Sequence, residues 1–389
     1  MSEWKKVKLG ELYEVHNGLS KGRQFFGTGF PFLTFSNVFN NWFLPEQLES
    51  LVQTTDKERE ACSIKAGDVF ITRTSETMDE LGMSSVALKD YPNATYNGFT
   101  KRLRPKTDRV FPRYMGYYLR TPKFRGQFMA FSSMTTRASL ANNDLLNMEI
   151  ELPPMDIQKN IATILSRYDS LIENYQKQIK LLEEAAQRLY KEWFVDLRFP
   201  GHENTNIIDG VPEGWKKMPV DSIYSIKYGK NLSTKLITPT GKYPVYGANG
   251  VIGYYNVANC NNQVVLITSR GNGSGDVLMT YHKDSFITNN SFVVSPLDDY
   301  SYCQLPFTYQ FLKNANFRAV RTGAAQPQLT NQSIHTVDVI LPSKGIIIDY
   351  CNKAFYSNKK IIILRIQIRL LTEARDRLLP KLMSGEITV

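Results

Sequence analysis

The sequence predicts an α+β fold: two tandem mixed α/β units, each followed by a long helix, with the two helices partnering each other. Two observations predict it. The first is the apolar spacing of Ile157, Ile161, Ile164, Tyr168, Leu171, Tyr175, Leu182, Ala185 and Leu189, in alternating steps of four and three that only Gln178 interrupts. That spacing keeps one stripe on one helix face, as a coiled-coil seam does. Proline at a first helical turn loses no needed donor, so Pro153 and Pro154 mark the start of this helix, which runs to Phe194. Roughly 40 residues at 1.5 Å each make a rod of about 60 Å, which needs a partner along its length. The second observation supplies one. Residues 179–189 (IKLLEEAAQRL) recur as 368–378 (IRLLTEARDRL), and Leu152-Pro153 recurs as Leu341-Pro342 at the same offset of 189 residues.

The repeat continues upstream with gaps. Trp4-Lys5-Lys6 matches Trp215-Lys216-Lys217, Tyr13 matches Tyr224, and Phe70-Ile71-Thr72 matches Leu266-Ile267-Thr268. Asn97 and Phe99 pair with Asn290 and Phe292, and Phe124-Arg125 with Phe317-Arg318. Two units of this length are a duplicated domain rather than a solenoid, whose repeats are much shorter.

Within the first unit, Pro31–Phe35, Asp68–Thr72, Ser84–Leu88 and Met148–Leu152 read as strands between turn signals. Pro112–Arg120 and Phe124–Phe131 read as short helices. Val195–Gly214, with Pro200-Gly201, Asp209-Gly210 and Pro212, reads as a linker. In the second unit Val264–Thr268, Val277–Tyr281, Phe292–Ser295 and Val337–Leu341 are strands and Phe307–Lys313 a helix. A second long helix follows, from about Gly345 to Leu379. The alternation is too irregular for a doubly wound sheet and fits α+β.

A chain of 389 residues can bury a large core and hold two or more domains. Its 47 basic and 37 acidic residues leave a net charge of +10. Such an excess fits an anionic partner, nucleic acid first and an anionic membrane surface second, although many basic proteins bind neither. Cys62, Cys260, Cys303 and Cys351 form no C-x-x-C pair, which argues against zinc or a disulfide framework and fits a reducing cytosol. No signal-peptide core opens the chain, and the apolar run Ile361–Leu371 is broken by Arg365 and Arg369. The expectation is a cytoplasmic protein with no membrane partner.

No catalytic set emerges. His16, His202, His282 and His335 have no metal-ligand spacing, and neither a G-x-S-x-G elbow nor a lysine P-loop is present. Ser269–Gly275 (SRGNGSG) could cradle phosphate, but it is followed by a strand-like run rather than a helix, so a Gly-rich hairpin carrying Arg270 is the better reading. Leu152-Pro153-Pro154-Met155 lacks the Asn or Asp of an adenine-methyltransferase motif. What remains is a set of basic and amide side chains on loops. In the first unit it comprises Lys21, Arg23, Arg73, Lys101, Arg102, Arg104 and Arg137. In the second it comprises Lys230, Lys235, Asn249, Arg270, Asn272, Asn289, Asn290, Arg318, Arg321, Gln326 and Gln328. Arginine suits guanine edges and Asn or Gln adenine edges in a major groove, whereas lysine mostly holds phosphate. Any one of these could be a solvated surface residue; as a set on two duplicated units they favour DNA. Trp193-Phe194 could dock a partner or fold back on the protein, and Gln178 with its counterpart Gln367 could pin the helix register or face a docked subunit.

Together these features resemble the specificity subunit of a type I restriction–modification system. The resemblance rests on Leu152-Pro153-Pro154 with Ile157-Gln158-Lys159 and Ile161, on Leu181–Glu184, on Lys191–Phe194 and on the ending Leu378–Ile387. It also rests on Arg270 with Gly271, Gly273 and Gly275, and on Thr322–Leu329 (TGAAQPQL); the first unit matches there only through Arg73 and Gly82. The resemblance implies target-recognition domains at 1–153 and 201–343, with helices at 154–200 and 344–389 packed as an antiparallel coiled coil. Each domain would read one half of a split, asymmetric double-stranded DNA site, and the helices would set the gap. Two methyltransferase (modification) subunits and a motor/nuclease (restriction) subunit would be the partners, and this chain would need no cofactor and carry no catalysis. The alternatives are a free-standing DNA methyltransferase or nuclease, and a coiled-coil adaptor without DNA function.

Overall fold

The structure is a computed structural model and describes residues 4–75, 81–131, 138–323 and 326–389. It divides into two units, one of Met1–Ser170 with Thr372–Val389, the other of Leu171–Leu371.

In the first unit an antiparallel pair, Lys5–Lys8 with Glu149–Leu152, ties the start of the sheet-bearing segment to its end. A four-stranded sheet follows the order Tyr13–Asn17, Thr100–Pro105, Val69–Thr72, Ser84–Val86. A three-stranded sheet follows the order Leu51–Val52, Phe26–Leu33, Thr95–Tyr96, the last pairing being parallel. The second unit repeats all three. Lys216–Pro219 pairs with Asp338–Leu341. The four-stranded sheet runs Tyr224–Tyr228, Ser291–Pro296, Val265–Thr268, Val277–Met279, and the three-stranded sheet Gly250–Tyr255, Tyr243–Gly247, Phe286–Ile287.

The central strands show why the sequence folds this way. Val69–Thr72 (VFIT) and Val265–Thr268 (VLIT) are buried at every position and lack the alternation of a half-exposed strand. Side chains of a strand alternate between faces. Val69 and Ile71 therefore enter the main core while Phe70 enters a second cluster with Leu33, Val38 and Tyr96. Val265 and Ile267 likewise enter one core and Leu266 another. A strand covered on both faces reads as a continuous apolar run.

Strand register sharpens the repeat and corrects one part of it. Thr72 pairs with Thr100 and Thr268 with Ser291, so the strands after these turns correspond at an offset of 191 residues. The counterpart of Asn97 is then Thr288, and that of Phe99 is Asn290, two residues from the expected pairing of Asn97 with Asn290. The sequence match of two Asn-x-Phe triplets was a coincidence that hydrogen bonding overrides.

The first long helix spans Met155–Tyr190 and the second Lys344–Met383. At its start Gln158 is buried, its Nε2 donating to Pro153 O and Arg109 O at 2.9 Å and its Oε1 accepting from Phe111 N–H at 2.8 Å. Each unit takes part of each helix. In the first, Ile161, Ala162 and Leu165 share a core with Leu379, Leu382 and Met383, and Arg375 Nη1 meets Asp169 Oδ1 at 2.7 Å. In the second, Ile179 packs with Ile361 and Leu364, Arg365 Nη2 meets Glu183 Oε1 at 2.7 Å, and Tyr350 Oη donates to Ala186 O at 3.4 Å. Rising numbers on one helix meet falling numbers on the other, so the helices pair antiparallel.

The seam is less regular than its spacing. Leu171 is 44% exposed, whereas Leu165, outside the stripe, is fully buried. The helix serves two neighbours, its partner helix and the sheet-bearing body, and the second claims residues off the stripe. Gln178 donates to Asn174 on its own helix, and neighbouring Ile179 takes the buried position.

Trp193 and Phe194 fold back. They follow the helix in a π-helical turn, Lys191–Val195, and pack in the second unit's core against Tyr350, Phe307 and Trp215. Among the described residues no helix is long and apolar enough to cross a membrane.

Candidate nucleic-acid interface

The Gly-rich segment of the second unit is a hairpin joining two antiparallel strands, Val265–Thr268 and Val277–Met279. Gly271 and Gly275 both sit at positive φ, 83° and 90°, a conformation that disfavours side chains and lets the loop turn back tightly. Gly275 N–H donates to Thr268 O at 2.8 Å and closes the loop.

Further segments converge on it. Ser269 N–H donates to Asn290 O at 2.8 Å and its hydroxyl to Asn289 O at 3.1 Å. Leu329 N–H donates to Ser269 O, Gly271 N–H to Pro327 O, and Arg270 bridges to Gln328. Thr268 Oγ1 donates to Ala248 O at 2.7 Å, which places Asn249 beside the hairpin. Lys230 N–H donates to Ile287 O, and Asn289 N–H to Lys230 O, which brings in the end of the first sheet strand. Arg321 Nε donates to Arg318 O at 3.0 Å and its Nη1 to Asn272 O at 3.4 Å.

The backbone groups of these loops are thus satisfied by one another, which frees side chains for other work. Lys230, Asn249, Arg270, Asn272, Gln326 and Gln328 are exposed, and Asn290 and Arg321 are half-buried. Eight residues singled out on sequence therefore meet at one end of the second unit. Arg318 differs, since Asp276 neutralises it through contacts of 3.0 and 2.5 Å.

The first unit does not gather its set in this way. Arg73 lies at the matching strand end, its N–H donating to Phe99 O and its carbonyl accepting from Leu140 N–H, and it is half-buried. Arg23 is exposed; Lys21 is held by Glu58 at 2.8 Å, which keeps that carboxyl below the usual carboxylate range. Lys101 and Arg102 are on a strand, not a loop, and both are 3% exposed. Lys101 donates to Asn142 and its pKa is lowered, by burial first and by nearby Arg73 second. Arg102 Nη1 donates to Ser63 O at 2.7 Å and Ala61 O at 3.3 Å. Arg104 is bonded to Asp68 and Ser63. These basic side chains are internal struts, and sequence alone could not separate them from loop residues because charge is a poor marker of exposure once carbonyl acceptors are available. Arg137 lies outside the described residues, as do Ala324 and Ala325 of the TGAAQPQL segment.

The same reading missed the aromatics of the first unit. Phe99 is 58% exposed and lines, with exposed Phe26, a cavity of about 450 Å³; Phe25 is exposed as well. The Phe-rich stretch Phe25–Phe35 was the available signal. Among the described residues no cluster of His, Cys, Asp or Glu could hold a metal ion.

Two copies of one α+β unit carry, at the loop end of the second, an exposed cluster of Arg, Asn and Gln, the residue types suited to base edges. The chain belongs to the type I restriction modification DNA specificity domain family, whose profile matches residues 1–184 and 212–364. It is 25% identical to the type I restriction enzyme MjaIX specificity subunit of Methanocaldococcus jannaschii, over 100% of this chain and 94% of that one. It is 22% identical to the HindI specificity subunit of Haemophilus influenzae, over 100% of both. The crystal structure of a type I restriction-modification S subunit from M. genitalium shares the fold, with a TM-score of 0.57, 17% identity, and coverage of 97% and 96%.

Proposed function

We propose that the chain reads a bipartite, asymmetric DNA site, residues 1–153 taking one half and 201–343 the other, and directs adenine methylation and restriction carried out by partner subunits. The observation that carries this reading is the pairing of one architecture with two different end surfaces. Topology agrees sheet for sheet and register agrees along the four-stranded sheets, yet the equivalent positions hold Leu19 and Lys230, and Phe99 and Asn290. Two similar readers with unlike tips suit two unlike half-sites.

In this proposal the exposed amides and Arg270 contact base edges, while Lys230, Arg23 and Arg321 hold phosphates; Arg73 serves as either. Phosphate neutralisation makes affinity fall with salt, and a few base contacts per unit choose the sequence. The antiparallel helices set the gap between half-sites. They also offer the docking surface for two methyltransferase subunits, with a motor/nuclease subunit joining for restriction; catalysis belongs to those partners, in the cytoplasm. Long-read mapping of methylated adenines in the host, with and without this gene, tests the reading. A split motif that disappears with the gene supports it; an unchanged methylation pattern overturns it. Cleavage or methylation of DNA by the purified chain alone would favour the free-standing enzyme instead.

A further inference from the structure

Equivalent positions of the two units carry chemically opposite groups. At the end of the second unit's sheet stand Lys230 and Asn290, a cation and an amide; the first unit has Leu19 and Phe99 there. We infer that the first unit reads thymine through its 5-methyl group, by apolar contact at Phe99 and the cavity beside it, whereas the second reads by hydrogen bonds. The inference rests on the reading of both units as DNA-recognition units.

Phe99 is presented, not stranded. Asn97 Oδ1 accepts from Phe99 N–H at 2.5 Å and Asn97 O accepts from Thr100 N–H at 3.0 Å, a turn that holds the ring outward with 58% of its surface in solvent. The cavity beside it, about 450 Å³, is lined by Leu19, Phe26, Phe32, Gly98 and Phe99. Among the described residues that line it Lys21 is the one cation and is bound to Glu58, and exposed Glu49 also lies on the wall. A phosphate would meet a carboxylate there with little free positive charge to offset it. Of the groups that the four bases show in the major groove, the thymine methyl alone is apolar. A cavity walled by Leu19, Phe26, Phe32 and Phe99, whose lining lysine is already paired, selects it at a base-reading end.

The test uses the chain in complex with its modification subunits and duplexes of its mapped site, with uracil replacing thymine in one half at a time. The half facing the first unit is identified by DNA cleavage from a reagent tethered at exposed Gln24→Cys. Binding measured by fluorescence anisotropy should weaken roughly three- to fivefold for each contacted thymine in that half, the scale of one buried methyl, and less than twofold in the other. Phe99→Ala should erase the uracil penalty and Phe99→Leu keep part of it, both variants melting as the parent does. A first half-site without an A·T pair overturns the inference, as does sequence-specific binding indifferent to uracil, or a penalty undiminished in Phe99→Ala. Binding with no sequence preference would instead overturn the underlying DNA-recognition reading.

Discussion

Replacing Arg102 with methionine separates a strut from a DNA contact. The guanidinium donates to Ser63 O and Ala61 O, lies over the Tyr96 ring at 5.6 Å, and is 3% exposed. Methionine preserves most of the stem volume and removes the donors. Arg104 still donates to Ser63 O, so the carbonyl of Ala61 bears most of the loss. A hydrogen bond from a charged group contributes about 1.5–3 kcal/mol, so the variant should lose about 2 kcal/mol of stability. For a unit of this size that corresponds to a fall of about 4–8 °C in the melting midpoint, read by calorimetry. The salt dependence of DNA affinity should not change. A phosphate contact would instead lower the slope of log affinity against log salt by about one. An unchanged midpoint with a reduced slope would refute the internal role of Arg102.

Arg270→Ala should cost about 1–3 kcal/mol of discrimination at the second half-site alone, read by methylation of half-site variants; equal loss at both halves would sink the assignment. Adding or removing one heptad in both long helices should change the gap in the methylated motif, and an unaltered gap would count against the spacer role. Burial, with Arg369 nearby, holds His282 below its ordinary 6.5, and its Nδ1 lies 3.0 Å from the Tyr246 hydroxyl. A depressed pKa favours the neutral ring in the fold, so its contribution is present above pH 6.5 and is lost as pH falls through the lower folded value. Unfolding midpoints compared at pH 7 and pH 5 should therefore drop less in His282→Gln than in the parent, and an equal drop would remove His282 from the account.

Much of the fold was legible because it rests on local signals. Proline at 153–154 opens a helix, VFIT and VLIT mark strands covered on both faces, and the Gly-rich segment makes a hairpin. The three-stranded sheets were less legible. Their strands are short, such as Leu51–Val52 and Phe286–Ile287, and one pairing in each is parallel between distant segments. Of the candidate site, the second unit's cluster was readable as residue types, while its convergence depends on backbone bonds between distant segments, such as Leu329 N–H to Ser269 O and Asn289 N–H to Lys230 O.

The chain's own order of residues determined the duplication, the two long helices and the DNA-recognition family, because repeats and helix periodicity are written along the chain. The tertiary structure decided which charges are usable. Lys101 and Arg102 look like Arg270 in a list of residues, but strand pairing turns them inward onto carbonyl and amide oxygens and leaves Arg270 in solvent. It likewise decided that Phe99, not Asn97, stands where Asn290 stands. Register is a property of paired strands, and a single strand of sequence does not contain it.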